Sequence, residues 1–466
     1  MPGLFQGLEI GKRALLSHQV TLQTIGHNIA NVNTPGFTRQ RVLITATRPE
    51  ELTYGSVGTG ITVDDVRHVR DVFLRSQFRE ANKALGEWSY KERTMTQIES
   101  ILNEPQTDSM NDLLNDFWNA WSALSTAEEA TSASSRNAIV AEASKLINGL
   151  HQLHTQLTSL RDSIDDDLNA MTSEINELTT EIANINQQVV SAELGGNRAN
   201  DLRDERDRLI DRLSTLIDVR TKEKSDGSET VSMGAMALVD GSSSFDIGTV
   251  TQKKFGVSTE ILVWQGTSIE LTNLSGELAG LTQSRDEIIP GYLDKLNELA
   301  RSIVEEVNAI HRQGYGDGKI VNGVDFFDPN YTDAATIRLN QEILTDINKI
   351  AASASIDGDN LIALQLSGLR NVSVMANGSS TIDDFYHSII GNVGIETSEA
   401  SSFTGNYELL VHQTENSRLS IEGVSLDEEM ANLVKFQHAY DAAARVITTM
   451  DEALDTVILG MGRVGL

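Results

Sequence analysis

Apolar residues return every seven positions at both ends of this chain, and these two distant stripes constrain the fold more than anything between them. Near the N-terminus Leu8, Leu15, Leu22 and Ile29 form one series, and Leu4, Gly11, His18, Ile25 and Val32 form a second. Near the C-terminus Leu426, Leu433, Tyr440, Ile447, Leu454 and Met461 repeat in the same way, with Met430, Ala444 and Ile458 on the neighbouring series. A seven-residue apolar repeat keeps one helix face turned toward a partner helix, so both ends read as coiled-coil strands, although two ordinary amphipathic helices packed on a core would show the same spacing. The ends also differ in charge. Residues 1–48 carry Lys12, Arg13, Arg39, Arg41 and Arg48 against Glu9, net +4, whereas 426–466 carry seven acids against three bases, net −4. Opposite charge favours pairing of the termini with each other or with neighbouring copies, weakened by salt.

Between the ends, proline scarcity sets the next limit. Only six prolines occur and none lies between Pro105 and Pro290, so nothing breaks long helices over that span. Helices are expected over about 71–103, 110–124, 134–194 and 200–217, with a break at Gly195-Gly196 and Thr107/Asp108 as the cap before Met110. In 200–217 charge gathers on one face and Leu202, Leu209, Leu213 and Leu216 on the other. Val42–Thr45 and Gly60–Val63 read as short strands. From 219 to 272 the period shortens to alternating runs punctuated by Asp226-Gly227 and Asp240-Gly241, the pattern of a small β unit inserted between helices. Helix returns over about 276–312, kinked or interrupted at Pro290, and again over about 380–393, 403–422 and the last 40 residues.

The expected fold class is therefore α+β and mainly α. Terminal coiled-coil helices (1–35 with 426–466) flank a long helical, rod-like middle domain (36–218 with 273–313 and 351–425). A β domain (219–272) and a loop and strand segment (314–350) are inserted in it. At 466 residues about three structural units are expected. Aromatics are only 5% of the chain, which predicts slim bundles with small seams rather than aromatic cores.

Composition and motifs narrow the function classes. Asp plus Glu number 67 against 37 Lys plus Arg, so a chain of net charge −30 repels phosphate and is a poor generic binder of nucleic acid. Cysteine is absent, which removes disulfides and thiolate chemistry. No basic region followed by an unbroken apolar run occurs, so neither a cleavable signal nor membrane insertion is expected. His151 and His154 lack the glutamate of a zinc-protease helix, and Asp165-Asp166-Asp167 reads as a solvated charge run. Gly55–Gly60 and Gly314–Lys319 lack the flanking pattern of a phosphate loop, and Asp357–Asn360 lacks the register of a calcium loop. No catalytic, metal or cofactor residues are assigned and no cofactor is expected.

The segment Asn28-Ile29-Ala30-Asn31-Val32-Asn33-Thr34-Pro35-Gly36-Phe37 closes the N-terminal helix on a turn with Pro second and Gly third, the order of a type II turn. It resembles the signature shared by the axial proteins of the bacterial flagellum, the rod, hook and hook-associated families. Thr38-Arg39-Gln40-Arg41-Val42 is similar to the continuation found in the hook-associated members at the junction of hook and filament. So are Asn200–Leu213, the segments within 276–311, and Gly423–Leu433 with Phe436-Gln437, Ala439-Tyr440 and Ala442–Ala444.

The resemblance implies a structural subunit, exported unprocessed through the flagellar type III apparatus and polymerised outside the cell. Its implied partners are the hook protein, a second junction protein, further copies of itself and an export chaperone bound near the C-terminus. On this reading Leu8, Leu15, Leu22, Ile25, Ile29, Leu426, Leu433, Tyr440, Ile447 and Leu454 form the assembly interface. Asn28, Ala30, Asn31, Thr34, Pro35, Gly36 and Phe37 shape the exit from the terminal helices into the middle domain. A rod or hook subunit, with a mostly β middle, is the alternative, and a cytoplasmic coiled-coil scaffold a more distant one. Single terminal helices cannot bury their stripes alone, so they are expected to order on assembly.

Overall fold

The long helices forecast by the missing prolines supply the frame. The computed structural model describes residues 2–52, 55–102, 109–126, 132–254, 257–267, 269–317, 323–355 and 359–461. In order, the described elements are α1 (Pro2–Ala30), β1 (Gln40–Ala46), β2 (Glu50–Leu52), β3 (Gly55–Val57), β4 (Ile61–His68), α2 (Val72–Leu102), α3 (Met110–Leu124), α4 (Ala133–Glu193) and α5 (Asn200–Leu216). There follow β5 (Arg220–Glu223), β6 (Glu229–Met233), β7 (Met236–Asp240), β8 (Ser243–Ser244), β9 (Ile247–Lys254) and β10 (Val257–Trp264). The chain ends with α6 (Glu277–Gln283), α7 (Ile289–His311), α8 (Gln341–Thr345), α9 (Leu361–Gly368), α10 (Ile382–Glu422) and α11 (Leu426–Met461).

The 61-residue α4 is about 90 Å long at 1.5 Å per residue and forms the spine. Its buried stripe, Leu146, Leu150, Leu157, Ile164, Leu168, Ile175 and Ile182, keeps the four- and seven-residue spacing of one helix face. Around it α2, α5, α6, α7 and α10 close a single contiguous core. Glycine sets the closest crossing, because a Cβ at Gly86 of α2 would fall 2.1 Å from the Thr215 carbonyl oxygen of α5.

The β region at 220–264 is an antiparallel four-stranded sheet, β5-β6-β7-β8, followed by the β9–β10 hairpin. Two asparagines on α4 fasten it. Asn176 donates to the Ile247 carbonyl at 2.8 Å and accepts from its N–H at 2.9 Å. Asn186 treats Glu229 in the same way, at 2.8 and 3.0 Å.

The structure departs from the sequence expectations in several places. Residues 380–393 and 403–422 are one helix, α10, because packing along α2 outweighs weak intrinsic propensity; Ala400 and Thr404 are buried, and Trp88 of α2 stacks on Phe403 at 4.3 Å between centroids. The helix expected over 276–312 carries a π turn at Ser284–Ile288, just before Pro290, whose ring would clash with the carbonyl four residues back in a regular helix. The cap expected at Thr107/Asp108 lies outside the described residues, and Ser109 fills that role, its Oγ accepting the Asp112 N–H at 3.2 Å. Few aromatics do not mean a thin seam everywhere. Phe117, Trp118, Trp121, Phe326 and Phe327 gather in one buried cluster where α3 meets the loop after α7.

His311 closes that cluster. Its Nδ1–H donates to the Val324 carbonyl at 2.8 Å and its Nε2 accepts the Ala351 N–H at 2.9 Å, a pair of bonds that only the neutral ring can make. Burial pushes its pKa down to about 4. Because the folded value lies below that of the unfolded chain, the stabilisation is full above pH 6.5 and is lost as the pH falls through about 4. Urea unfolding should therefore lose about 3 kcal/mol over this window through His311 alone, and a His311→Gln chain should lack that component. The check is a pair of denaturation series from pH 7 to 4, compared as a difference.

Candidate functional site

The two terminal stripes find each other within one chain. α1 and α11 pack antiparallel along their lengths. A Cβ added at Gly7 would fall 2.9 Å from Met450 Cε, and one at Gly11 would fall 2.8 Å from Ile447 Cγ1; His18 lies 5.9 Å from the Phe436 ring, and Asn28 donates to Glu429 at 3.2 Å. Each terminal helix thus meets the other terminus.

Leu8, Leu15, Leu22 and Ile29 are half-buried, as are Leu433, Tyr440, Ile447 and Leu454, while Ile25 is buried. Two helices share one seam, so side chains at its margins keep part of their surface in water. Leu426, at the first turn of α11, is 46% exposed and stands outside the buried side of the pair. The second C-terminal series also needs correction. Met430 and Ile458 are 60% and 65% exposed, and the contacts fall instead on Phe436, Ala443 and Met450, three residues beyond the leucine series rather than three before it. The β arm adds a third layer that the heptads do not announce. β1 and β4 pair antiparallel and run back beside α1, with Gly60 close to Ile10 and Gln6 donating to Glu50 at 3.0 Å.

Where α1 ends, the signature residues build a compact turn. Asn31 donates its side-chain amide to the His27 carbonyl at 3.0 Å and accepts Thr34 Oγ1 at 3.1 Å. The Phe37 N–H reaches the Thr34 carbonyl at 3.2 Å, and Gly36 takes φ +80°, which fits the type II turn. Phe37 sets its ring edge against His27 at 5.4 Å. Ala30, Thr34, Pro35 and Gly36 are exposed, whereas Asn28 is buried and holds the Gln40 backbone by both groups, at 2.9 and 3.0 Å.

Below the turn lies a buried ionic joint with little sequence signature. Arg75 on α2 donates to Asp207 of α5 at 2.6 Å, to Glu422 at the end of α10 at 2.7 Å, and to Thr38 Oγ1 at 3.1 Å. Arg70 reaches Asp207 at 2.6 Å, and Asp211 receives Arg79 at 2.8 Å and Arg418 at 2.6 Å. Asp204 accepts the Thr38 N–H at 2.9 Å, and Glu422 accepts the Asp71 N–H at 2.9 Å. Arg39 pairs with Glu428 at 2.7 Å and Glu429 at 2.9 Å, while its N–H meets the Glu422 carbonyl at 2.8 Å. Burial alone would raise the Asp207 pKa, but Arg70, Arg75 and Arg79 outweigh it and hold the carboxyl below its usual range. Burial likewise opposes charge on Arg75, and Asp207 and Glu422 more than offset it. The charged face of 200–217 is the one sequence signal for this joint, and within it Arg203, Asp204, Arg206 and Asp207 are buried.

Asp165, Asp167 and His151 each make a contact within the fold, and Asp357 and Gly358 lie outside the described residues. Asp165 binds Arg285 at 2.8 Å, Asp167 accepts the Tyr90 hydroxyl at 2.8 Å, and the His151 ring lies 2.9 Å from the Ile337 carbonyl. Among the described residues no helix is long and apolar enough to cross a membrane.

Comparison with known proteins falls on the same segments. Residues 95–327 match the family described as the flagellar hook-associated protein FlgK helical domain. Residues 8–38 match the flagella basal body rod protein family, and 415–460 match the flagellar basal body rod FlgEFG protein C-terminal family. The latter two cover α1 with its turn, and α11 with the end of α10. The flagellar hook-associated protein 1 of Bacillus subtilis is 31% identical over 99% of both chains, and that of Escherichia coli is 24% identical over 94% of this chain and 97% of its own. The solved flagellar hook junction protein FlgK of Burkholderia pseudomallei shares the fold, with a TM-score of 0.63 at 16% identity over 74% of this chain and all of its own. The chain therefore belongs to the flagellar hook-associated protein 1 family and is a structural subunit of the hook–filament junction.

Proposed function

We propose that the antiparallel α1–α11 pair is the polymerising element of this junction subunit and that the ionic joint sets its angle to the helical rod. One observation carries the reading. After α1 and α11 have paired, their outer faces still expose large apolar side chains, among them Phe5, Leu16, Met430, Val434 and Leu459. Such a surface is suited to burial against neighbouring copies in an inner tube around an axial channel.

In this reading residues 2–68 with 426–461 form one terminal unit, because the β arm follows α1. The rod and the 220–264 sheet region face outward. Export proceeds through the flagellar type III apparatus, with a chaperone at the C-terminal helix keeping the apolar stripes apart until delivery outside the cell. The hook protein and the second junction protein then bind on either side of the ring, and no catalytic step is involved.

Deleting the gene should leave complete hooks without filaments and flagellin in the medium, seen by electron microscopy and immunoblot; stunted hooks would move the subunit to the rod or hook. Ile447→Asp places a charge against Gly11 and should abolish filaments while the thermal transition of the rod is unchanged. Gly36→Val, with a β-branched residue at positive φ, should cost about 1–2 kcal/mol locally and reduce motility, which normal swarming would contradict. Arg75→Met leaves Glu422 and Asp207 buried with fewer partners and should lower unfolding stability by about 3–5 kcal/mol, measured by urea titration.

A further inference from the structure

The complementary charge of the two termini is only partly used inside one chain. Arg39 meets Glu428 and Glu429, but among the described residues Arg41 and Lys435 form no ion pair, and neither do Asp451, Glu452 and Asp455. Both unpaired sets sit beside apolar surface. Arg41 and Lys435 rim a groove of about 580 Å³ between α1, β1 and α11, floored by Ile25, Leu43 and Phe436; its one carboxylate, Glu429, is already paired with Arg39, which leaves the groove net basic. Lys435 Nζ lies over the Phe436 ring at 5.6 Å, so its stem follows that floor. At the other end of α11, the exposed acids Asp451, Glu452 and Asp455 lead into Ile458 and Leu459, 65% and 68% exposed.

A basic groove with an apolar floor and an acidic helix end with apolar knobs are complementary surfaces, but one chain cannot join them. Lys435 and Asp455 lie on the same continuous helix, 20 residues and about 30 Å apart. A second copy displaced along the helix axis by about that distance brings them together.

We infer that the Asp451–Leu459 end of α11 from one copy docks in the Arg41–Lys435 groove of the next. This rests on the terminal pair being the polymerising element and specifies how successive copies contact. The contact uses two different patches, so it is heterologous: it passes from copy to copy and closes a ring, or winds a helix, according to the rotation between subunits. Charge attraction steers and registers the encounter, and Ile458 and Leu459 cover the groove floor.

Because the chain has no cysteine, paired substitutions report this contact directly. An Arg41→Cys/Asp455→Cys chain, in flagella isolated from motile cells and oxidised, should run as a ladder of covalent multimers on a non-reducing gel. Monomer alone from assembled flagella would overturn the inference, as would a ladder equally strong in an Arg41→Cys/Asp441→Cys control. Reversing the rim with Arg41→Glu/Lys435→Glu should lower filament number about tenfold, and adding Asp451→Lys/Asp455→Lys should restore it. Unchanged filament number on reversal, or no recovery in the charge swap, would mean that the groove takes another occupant or none. Ile447→Asp separates the two levels. If it blocks assembly while rim reversal does not, only the docking inference fails; if it assembles normally, the polymerising role of the terminal pair fails first.

Discussion

Arg75 holds together parts of the chain that sequence keeps far apart. Its guanidinium lies within 2.7 Å of carboxylates on α5 and at the end of α10, the latter 347 residues away, and it also touches Thr38 just beyond the signature turn. Everything entering or leaving the terminal helices passes this point. The ions are buried, so their Coulomb attraction is strong, but so is the desolvation that opposes it. Such a joint contributes little net stability compared with an apolar replacement. Its effect is directional, because charges held by several hydrogen bonds each permit few alternative arrangements.

A second device recurs at four places where an extended segment meets a helix. Asn28, Asn176, Asn186 and Asn308 each use the amide group as a substitute strand, accepting a backbone N–H and donating to a backbone carbonyl of Gln40, Ile247, Glu229 and Phe327 respectively. A strand lying on a helix has no ladder partner on that side, and an unpaired buried amide costs about 1–3 kcal/mol. One asparagine satisfies both groups and fixes the register at one residue. The β arm, the inserted sheet, the hairpin and the loop after α7 are all attached in this way.

These two devices mark where the sequence was legible and where it was not. The heptads, the missing prolines and the Thr-Pro-Gly-Phe turn are periodic or local, so α1, α4, α11 and the turn at Gly36 could be read directly. Arg75, Asp207 and Glu422 look like ordinary surface charges on amphipathic helices, and only the fold reveals that they are buried. Glycine and serine weaken local propensity in the middle of α10, so the sequence predicts two helices there, whereas packing along α2 joins them. A seven-residue repeat fixes a helix face only to within one neighbouring row, so the second series of α11 is not decided by the repeat. The partner helix decides between Met430 and Phe436, and local sequence carries no record of that choice.

The same geometry explains how ends more than 400 residues apart come to pair. Loop closure grows only slowly with length, by about 0.6 kcal/mol per doubling, but a two-helix seam with half-buried margins has little free energy with which to offset even that. The rod removes the difficulty. Once α2, α5 and α10 have packed, Arg75 and Glu422 lie side by side, and the Arg39 N–H to Glu422 carbonyl bond sets the start of β1 beside the start of α11. From that point α1 and α11 meet as the two arms of a hairpin, and their pairing is as local as that of adjacent helices. The joint therefore converts a long-range contact into a short-range one, and the terminal pair closes as a local hairpin rather than as a loop of several hundred residues.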